Sequence, residues 1–308
     1  MYLLSGCQSN ARESENSIYP FSINGTVNVD TGTVVLNLPY DTSYYPENVE
    51  KMMTTVQNGK FSFEGRIPYP MGFMLTVGQG YRSRLFIVEP GAQTVSVDVS
   101  ARGEVPKVTN TAMREYEEAY SKAQQPTRER LKRYSARRDG LRHLYNDEVP
   151  DSIKLSLERE IKTIYTQSDS ILLAYATTHS ESYTAFWKLI EIFNFDGYQT
   201  VYDSTFNQFS DSLKRTYTGQ VLRDRLNAAS ITALGKKFPK VVVVDHRGEQ
   251  LDNVTFLANE YTFIDFWYSN CSPCIRQFPH LRKIYATYQD QGFGVVGIST
   301  DRVAYEEA

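Results

Sequence analysis

The stretch FIDFWYSNCSPCIRQFP, residues 263–279, places two cysteines, Cys271 and Cys274, directly after an apolar segment. That segment, which ends at Trp267, predicts a buried strand because aromatic and β-branched residues dominate it. The residues from Pro273 onward have the spacing of an amphipathic helix, and GFGVVGIST beyond them predicts a second buried strand. A strand, a helix of more than a dozen residues and another strand form a βαβ unit, so the two strands should be parallel.

The cysteine pair therefore lies where a strand turns into a helix. A helix N-terminus presents unpaired N–H groups and the positive end of the helix dipole, and both favour a thiolate over a thiol. In such a setting the pKa of the first thiol of a C-x-x-C pair can fall from about 8.5 to about 7 or less, which predicts Cys271 as the nucleophile. Cys274, one turn later, is predicted to resolve a mixed disulfide formed by Cys271. Pro273 presets φ at an early helical position and keeps the loop stiff.

The motif DFWYSNCSPC…P, followed by GFGVVGISTD, resembles the TlpA/ResA-like envelope branch of the thioredoxin superfamily, within the wider AhpC/TSA class. The resemblance covers about residues 235–308 and implies a thiol-disulfide oxidoreductase with no cofactor beyond the redox-active disulfide of the two cysteines. It also implies that Asp265 is the buried acid that helps to move the resolving cysteine's proton, that Trp267 packs beside the site and that Pro279 kinks the active-site helix. Taken alone, Asp265 also fits a satisfied buried carboxylate or a strand-edge polar group.

The motif departs from the family pattern in three respects. Asn270 stands where many relatives have tryptophan, and Ser272 replaces the usual glycine. Residues beside the cysteines tune thiolate stability, so the redox potential, which spans about −270 to −120 mV across such proteins, does not carry over. The family fold would also continue after Asp301 with a helix, two strands, a final helix and a cis-proline loop. Because the sequence stops at Ala308, we expect an incomplete domain, a fragment with weak or absent activity.

Upstream of the motif the chain has two kinds of sequence pattern, first that of β-strands and then that of α-helices. Short runs such as KFSFEGRI and QTVSVDVS, separated by turn signals, predict an antiparallel β-sandwich or barrel, and Asn58-Gly59 predicts a type I′ hairpin. Longer helical patterns follow, and in the longest of them several apolar residues recur mostly on one face, which predicts a helical bundle. Those residues are Leu155, Ile161, Ile164, Ile171 and Leu172.

The predicted fold class is multidomain α+β. An N-terminal antiparallel β-sandwich or barrel precedes a central helical bundle and a C-terminal partial thioredoxin-like α/β domain. The β region also resembles, through F-x-I-x-G, NGKFSFEG and FIVEPG, the all-β domain of unknown function that often precedes a thioredoxin-like domain in bacterial envelope lipoproteins. The predicted boundaries are 1–17 for a truncated lipoprotein signal and tether, 18–107 for the all-β domain, 108–233 for the helical domain and 234–308 for the incomplete thioredoxin-like domain.

The N-terminal MYLLSGC resembles the lipobox of bacterial lipoproteins and implies lipidation at Cys7, with QSNARESENS as a tether. The positive n-region and most of the apolar h-region of a signal peptide are missing, so we expect a truncated start. A buried or idle Cys7 is the alternative. The lipoprotein resemblance implies a membrane-anchored protein on the periplasmic side of the cell envelope of a Gram-negative bacterium.

Composition bounds the partners. Lys and Arg number 33 against 36 Asp and Glu, so the net charge of −3 gives no overall attraction to nucleic acid. The implied partners are disulfide-bonded client proteins, an upstream membrane reductant, and the membrane itself through a lipid on Cys7. The basic segment RERLKRYSARRDGLR, residues 128–142, fits a solvated helix face with inward-facing Leu131, Tyr134 and Leu141, or a surface for acidic headgroups or an acidic client.

Three other functions compete with disulfide exchange. A structural zinc site normally needs four ligands, and the isolated histidines have no ligand spacing, so no metal is predicted. They are His143, His179, His246 and His280. A peroxidase would need a peroxidatic cysteine in a different motif. The main alternative is a non-enzymatic envelope lipoprotein that binds a partner through its β and helical domains, in which case Ile264, Phe266 and Trp267 are simply core residues.

Overall fold

The computed structural model describes residues 18–101, 104–245 and 247–301. Cys7 and the predicted signal and tether thus lie outside the described residues. No helix in the described ranges combines the length and apolar content needed to cross a membrane. The described chain mixes α-helices and β-strands, as predicted.

The chain separates into two compact units, and the division falls between Gly235 and Lys236. The first unit contains the strands of the predicted all-β domain together with the predicted helices, and the second contains the cysteine motif. The finer boundaries at residues 107 and 233 stay predictions.

The residues of the first unit that the structure describes form a nine-stranded sheet. Its strands are β1 (Tyr19–Val27), β2 (Thr31–Asn37), β3 (Met52–Gln57), β4 (Lys60–Ile67), β5 (Met71–Val77), β6 (Tyr81–Arg82), β7 (Phe86–Val88), β8 (Gly91–Val97) and β9 (Lys107–Thr109). They are ordered β6-β5-β2-β3-β4-β1-β8-β9, and β7 pairs with β5. Successive side chains alternate across a strand, so Phe21, Ile23 and Val27 of β1 are all buried on one face.

The sheet is not purely antiparallel, which corrects the prediction. β1 and β8 run parallel, with Phe21 opposite Gly91 and Val27 opposite Val97. The reason is the long connection through β2–β7, which returns the chain to β1 in the same direction, whereas neighbours joined by short turns pair antiparallel. The predicted type I′ hairpin is confirmed, because Asn58 and Gly59 both have positive φ, 51° and 72°, between β3 and β4.

In the described part of the first unit, seven α-helices follow the strands. They are α1 (Arg114–Ala123), α2 (Gln125–Leu144), α3 (Asp151–Thr178), α4 (Tyr183–Asp196), α5 (Thr200–Gln208), α6 (Asp211–Arg215) and α7 (Tyr217–Ile231). Leu155 was expected on the inner face of the longest helix, yet it is 50% exposed and Leu157 is buried. Leu157 packs with Ile164 and with Tyr134 of α2, so contact with the neighbouring helix selects the buried face.

Strands and helices of the first unit share one hydrophobic core. Ile23 and Phe73 of the sheet belong to the same buried cluster as Phe186 and Trp187 of α4. Gly72 permits this close approach, since a Cβ at that position would lie 2.8 Å from the Trp187 ring. The β region and the helices are therefore packed as one body.

The second unit contains the predicted βαβ arrangement. Its elements are β10 (Val243–Val244), β11 (Gln250–Leu251), α8 (Asn253–Phe256), β12 (Tyr261–Trp267), α9 (Ser272–Tyr288) and β13 (Phe293–Ser299). β12 and β13 pair in parallel, with Phe263 opposite Val295, which confirms that prediction. The hairpin across Arg247-Gly248 is also confirmed, because β10 and β11 pair antiparallel and Gly248 has φ 79°.

Candidate functional site

The cysteine pair forms the first turn of α9. Cys271 is the N-cap residue, and its Sγ accepts a hydrogen bond from the Cys274 N–H at 3.2 Å. Its carbonyl oxygen accepts the Ile275 N–H at 3.0 Å. Pro273 lies in the first turn, where a missing N–H costs no intrahelical hydrogen bond. The sulfur thus takes the place that a serine or aspartate oxygen usually has at a helix N-cap.

The two sulfurs are joined in a disulfide, and the Cα atoms lie 5.3 Å apart. Cys271 is buried, with 7% of its surface exposed, whereas Cys274 is half-buried. The predicted attacking cysteine is therefore the less exposed of the two. Helix position and exposure consequently favour different sulfurs as the first nucleophile, and a trapping experiment must decide between them.

The loop that leads into Cys271 is closed by backbone hydrogen bonds. The Cys271 N–H donates to the Tyr268 carbonyl at 3.0 Å, and the Ser272 N–H donates to the Asn270 carbonyl at 3.1 Å. These bonds make a tight turn between β12 and α9. The conformation of Cys271 therefore depends on how residues 268–270 are held.

Asp301, just beyond β13, holds that loop. Its carboxylate accepts the Ser269 N–H at 2.9 and 3.0 Å and the Ser269 hydroxyl at 2.8 Å. The Ser299 hydroxyl donates to the same carboxylate at 2.7 Å. These hydrogen bonds, with that from the Ser269 backbone the strongest, hold the pKa of the Asp301 carboxyl below its usual value.

Sequence reasoning gave Asp301 no role. A signal was nevertheless present, because the parallel strands β12 and β13 must end at the same edge of the sheet. A polar residue within two positions of the end of β13 is thereby placed beside the residues that follow β12. The acid that closes GFGVVGISTD was therefore a candidate for contact with the cysteine loop.

The other residues predicted to support the cysteine pair lie in the same unit. The Trp267 ring meets Phe278 of α9 edge-on, with centroids 5.4 Å apart, so it joins the end of β12 to the helix that carries the cysteines. Asp265 is half-buried in β12, opposite Gly297 of β13. Pro279 lies inside α9. Among the described contacts, no hydrogen bond joins the Asp265 side chain to either cysteine.

No group of three or more His, Cys, Asp or Glu side chains in the described part of the chain is arranged to hold a metal ion. The chemistry that the described geometry offers is that of two adjacent sulfurs at a helix N-terminus.

Comparison with known proteins gives the relationship of each region. Residues 234–307 match the model of the AhpC/TSA family. The second unit is therefore similar to AhpC/TSA-family proteins. Residues 21–115 match a Domain of unknown function (DUF4369), which agrees with the resemblance noted for the β region.

Individual relatives agree with this assignment. The second unit is similar to the thiol-disulfide oxidoreductase ResA of Halalkalibacterium halodurans, with 28% identity over 92 residues, covering 30% of this chain and 49% of that protein. The ResA of Geobacillus thermodenitrificans is 30% identical over 67 residues, covering 22% of this chain and 38% of that protein. The predicted resemblance of this unit to ResA-like thiol-disulfide oxidoreductases of the AhpC/TSA class is thus confirmed.

Among solved structures, the thioredoxin domain of a thiol-disulfide oxidoreductase from Bacteroides vulgatus shares 34% sequence identity. That match covers 24% of this chain and 52% of the solved chain, with a TM-score of 0.22. The chain spans about half or less of the length of the curated relatives that it matches.

Proposed function

We propose that the protein is a thiol-disulfide oxidoreductase that acts through the Cys271–Cys274 pair. The observation that carries the proposal is the disulfide at the first turn of α9, with the Cys271 sulfur at the N-cap. Similarity of the second unit to ResA proteins supports the same chemistry. We further propose a thioredoxin-like arrangement for this unit, and a β-sandwich or barrel packed with a helical bundle for the first.

In the proposed reaction the reduced pair transfers two electrons to a client disulfide. The Cys271 thiolate attacks one client sulfur, the client S–S bond breaks, and the first client thiolate leaves and takes up a proton. The Cys274 thiolate then attacks the Cys271 sulfur, so the mixed disulfide breaks and the second client thiolate leaves. The products are a reduced client and the Cys271–Cys274 disulfide, which a dithiol reductant must reopen.

Cys271 is proposed as the attacking sulfur although Cys274 is more exposed. A helix N-terminus stabilises negative charge on an N-cap group by about 0.3–1 kcal/mol, and the Cys274 N–H already points at the Cys271 sulfur at 3.2 Å. The attacking form is the thiolate, so the sulfur that ionises more readily reacts more often. If Cys274 attacked first instead, the other serine variant would trap the mixed disulfide, so the assignment can be tested.

Insulin-disulfide reduction by the purified full-length gene product tests the activity. We expect Cys271→Ser and Cys274→Ser each to lower turnover at least about 100-fold, because one thiol alone cannot complete the exchange. Cys7→Ser is the matched control, since it removes the remaining cysteine and should leave turnover unchanged. If the wild type and both serine variants are equally inactive while folded, the oxidoreductase proposal is wrong.

The trapping experiment assigns the roles. With Cys271 as the attacking residue, Cys274→Ser should accumulate a mixed disulfide with client protein that dithiothreitol releases, whereas Cys271→Ser should not. The reverse pattern would show that exposure decides the order and that Cys274 attacks first. Mass spectrometry of the trapped species would also identify client proteins.

We also propose that the protein is an envelope lipoprotein, anchored on the periplasmic side through Cys7 and recharged by a membrane reductant. This part rests on the lipobox resemblance alone, since Cys7 lies outside the described residues. In cells that express the natural precursor, Cys7→Ala should release the protein from the membrane fraction. Unchanged fractionation of that variant would contradict the anchor.

A further inference from the structure

The residues that follow β13 are hydrogen-bonded to the end of β12 and to the loop that precedes the cysteines. The Thr300 N–H donates to the Trp267 carbonyl at 2.8 Å, which fixes the last residue of β12. One residue further, Asp301 accepts both the N–H and the hydroxyl of Ser269. The stretch from Trp267 to Ser269 is therefore tied at two successive points to the strand beside it.

This constraint reaches Cys271 through one short turn. Ser269 is two residues before Cys271, and the Cys271 N–H closes the turn onto the Tyr268 carbonyl at 3.0 Å. Cys271 in turn supplies both its carbonyl and its sulfur to the first turn of α9. A shift of the loop would rotate the sulfur away from the Cys274 N–H, which is the group that favours a thiolate there.

We propose that Asp301 is a positioning residue that, by holding Ser269, keeps Cys271 at the N-terminus of α9 in the reduced protein. Its relevance to catalysis rests on the proposed oxidoreductase function, but its effect on the thiol does not. Asp301 acts on the thiol in two opposite ways. Its negative charge disfavours a nearby thiolate, whereas its hydrogen bonds hold the arrangement that favours one. The two effects predict opposite changes, so substitution separates them.

The test measures ionisation of Cys271 directly. In a Cys7→Ser, Cys274→Ser background Cys271 is the single thiol, and the rate of iodoacetamide alkylation is followed from about pH 5 to about pH 10. We expect Asp301→Ala to raise the pH of half-ionisation and to slow alkylation at pH 7 by about two- to fivefold, the size of an N-terminal helix effect. Asp301→Asn should be alkylated as fast as the parent or faster, because its amide oxygen still accepts the Ser269 N–H while the charge that disfavours a thiolate is lost.

Ser299→Ala is the matched control. It removes the 2.7 Å hydrogen bond that the hydroxyl donates to the same carboxylate and the 3.1 Å bond that it accepts from the Asp301 N–H, but none from the cysteine loop. We expect its alkylation profile to match that of the parent, even if its stability falls as much as that of Asp301→Ala. Circular dichroism checks that each variant is folded. If Asp301→Ala does not fold, Ser269→Ala, which loses the 2.8 Å hydroxyl bond, should give a smaller change in the same direction.

Each other outcome overturns the proposal. If Asp301→Ala and Asp301→Asn both speed alkylation, the carboxylate acts through its charge. If the folded Asp301→Ala variant has the alkylation profile of the parent, Asp301 does not position Cys271. If Ser299→Ala slows alkylation as much as Asp301→Ala does, the slowing is not specific to the hydrogen bonds that hold the cysteine loop. Alkylation requires no client, so failure of insulin reduction would remove the proposed function and leave this test intact.

Discussion

Glu117 in α1 is a carboxyl group whose ionisation should weaken the first unit. Burial is the main cause that raises the pKa of Glu117 from 4.5 to about 7, and repulsion from Glu89 adds to it. A hydrogen bond from the Ile87 backbone lowers this pKa but does not cancel the increase. The folded state therefore binds the proton more tightly than the unfolded chain. Below about pH 4.5 both states are protonated and the group contributes nothing. Above about pH 7 both are ionised, and the linkage penalty reaches about 3 kcal/mol.

Replacement of Glu117 by Gln removes that penalty. We expect Glu117→Gln to raise the free energy of unfolding at pH 8 by about 1–3 kcal/mol and to leave it nearly unchanged at pH 4. The lower value applies if water reaches the Glu117 carboxylate and reduces the penalty for burying its charge. Fluorescence of the buried Trp187 in urea, measured in a Trp267→Phe background, reports on the first unit alone.

The neighbouring Glu118 supplies the matched control. Its side chain is 65% exposed and pairs with Arg114 at 2.7 Å, so Glu118→Gln should change stability by less than about 1 kcal/mol at either pH. If Glu117→Gln gave the same stability as wild type at pH 8, or kept the wild-type slope between pH 4 and 8, the Glu117 carboxylate would be solvated and the reasoning refuted.

Two further substitutions test the packing of the first unit. Gly72→Ala would place a Cβ 2.8 Å from the Trp187 ring and should lower the free energy of unfolding, measured in urea, by about 1–3 kcal/mol. Gly140→Ala is the control, because a Cβ there would have no atom within 4 Å, and it should raise the free energy of unfolding by up to about 1 kcal/mol. Equal effects would contradict the close packing at Trp187. Ser182→Ala removes the N-cap of α4, whose hydroxyl accepts an N–H at 3.1 Å, and should cost about 1 kcal/mol, while Ser170→Ala on α3 should stay within about 0.5 kcal/mol. A smaller loss for Ser182→Ala than for Ser170→Ala would remove the cap argument.

Features set by neighbours in sequence were predictable. The Asn58-Gly59 hairpin follows from the positive φ that a type I′ turn requires, and the turn is seen with both residues in that region. The parallel pairing of β12 and β13 follows from the helix-length connection between them. The location of Cys271 at a helix N-terminus follows from the same connection, since the apolar strand ends four residues before it.

Features set by distant contacts were not predictable. The parallel pair of β1 and β8 joins Phe21 to Gly91, and period-2 alternation gives a strand's faces but not its partner. A helical period alone allowed Leu155 on the inner face of α3, and only the position of α2 selects Leu157. The Asp301 contact joins residues 32 positions apart, so the predicted pairing of β12 and β13 made Asp301 a candidate for contact with the loop but did not give its partner, Ser269.

The position of Cys271 controls the rate of exchange more than its direction. The N-terminal helix effect is worth about 0.3–1 kcal/mol, which changes the thiolate population by about two- to fivefold below its midpoint. For a two-electron couple about 1.4 kcal/mol corresponds to 30 mV, so the same stabilisation moves the reduction potential by about 6–20 mV. Such proteins span about 150 mV, so the N-cap alone supplies a small part of that range. We therefore expect substitutions at Asn270 and Ser272, which flank Cys271, to change the reduction potential more than the N-cap does. We expect Asp301 to affect mainly the rate at which Cys271 forms the mixed disulfide with a client.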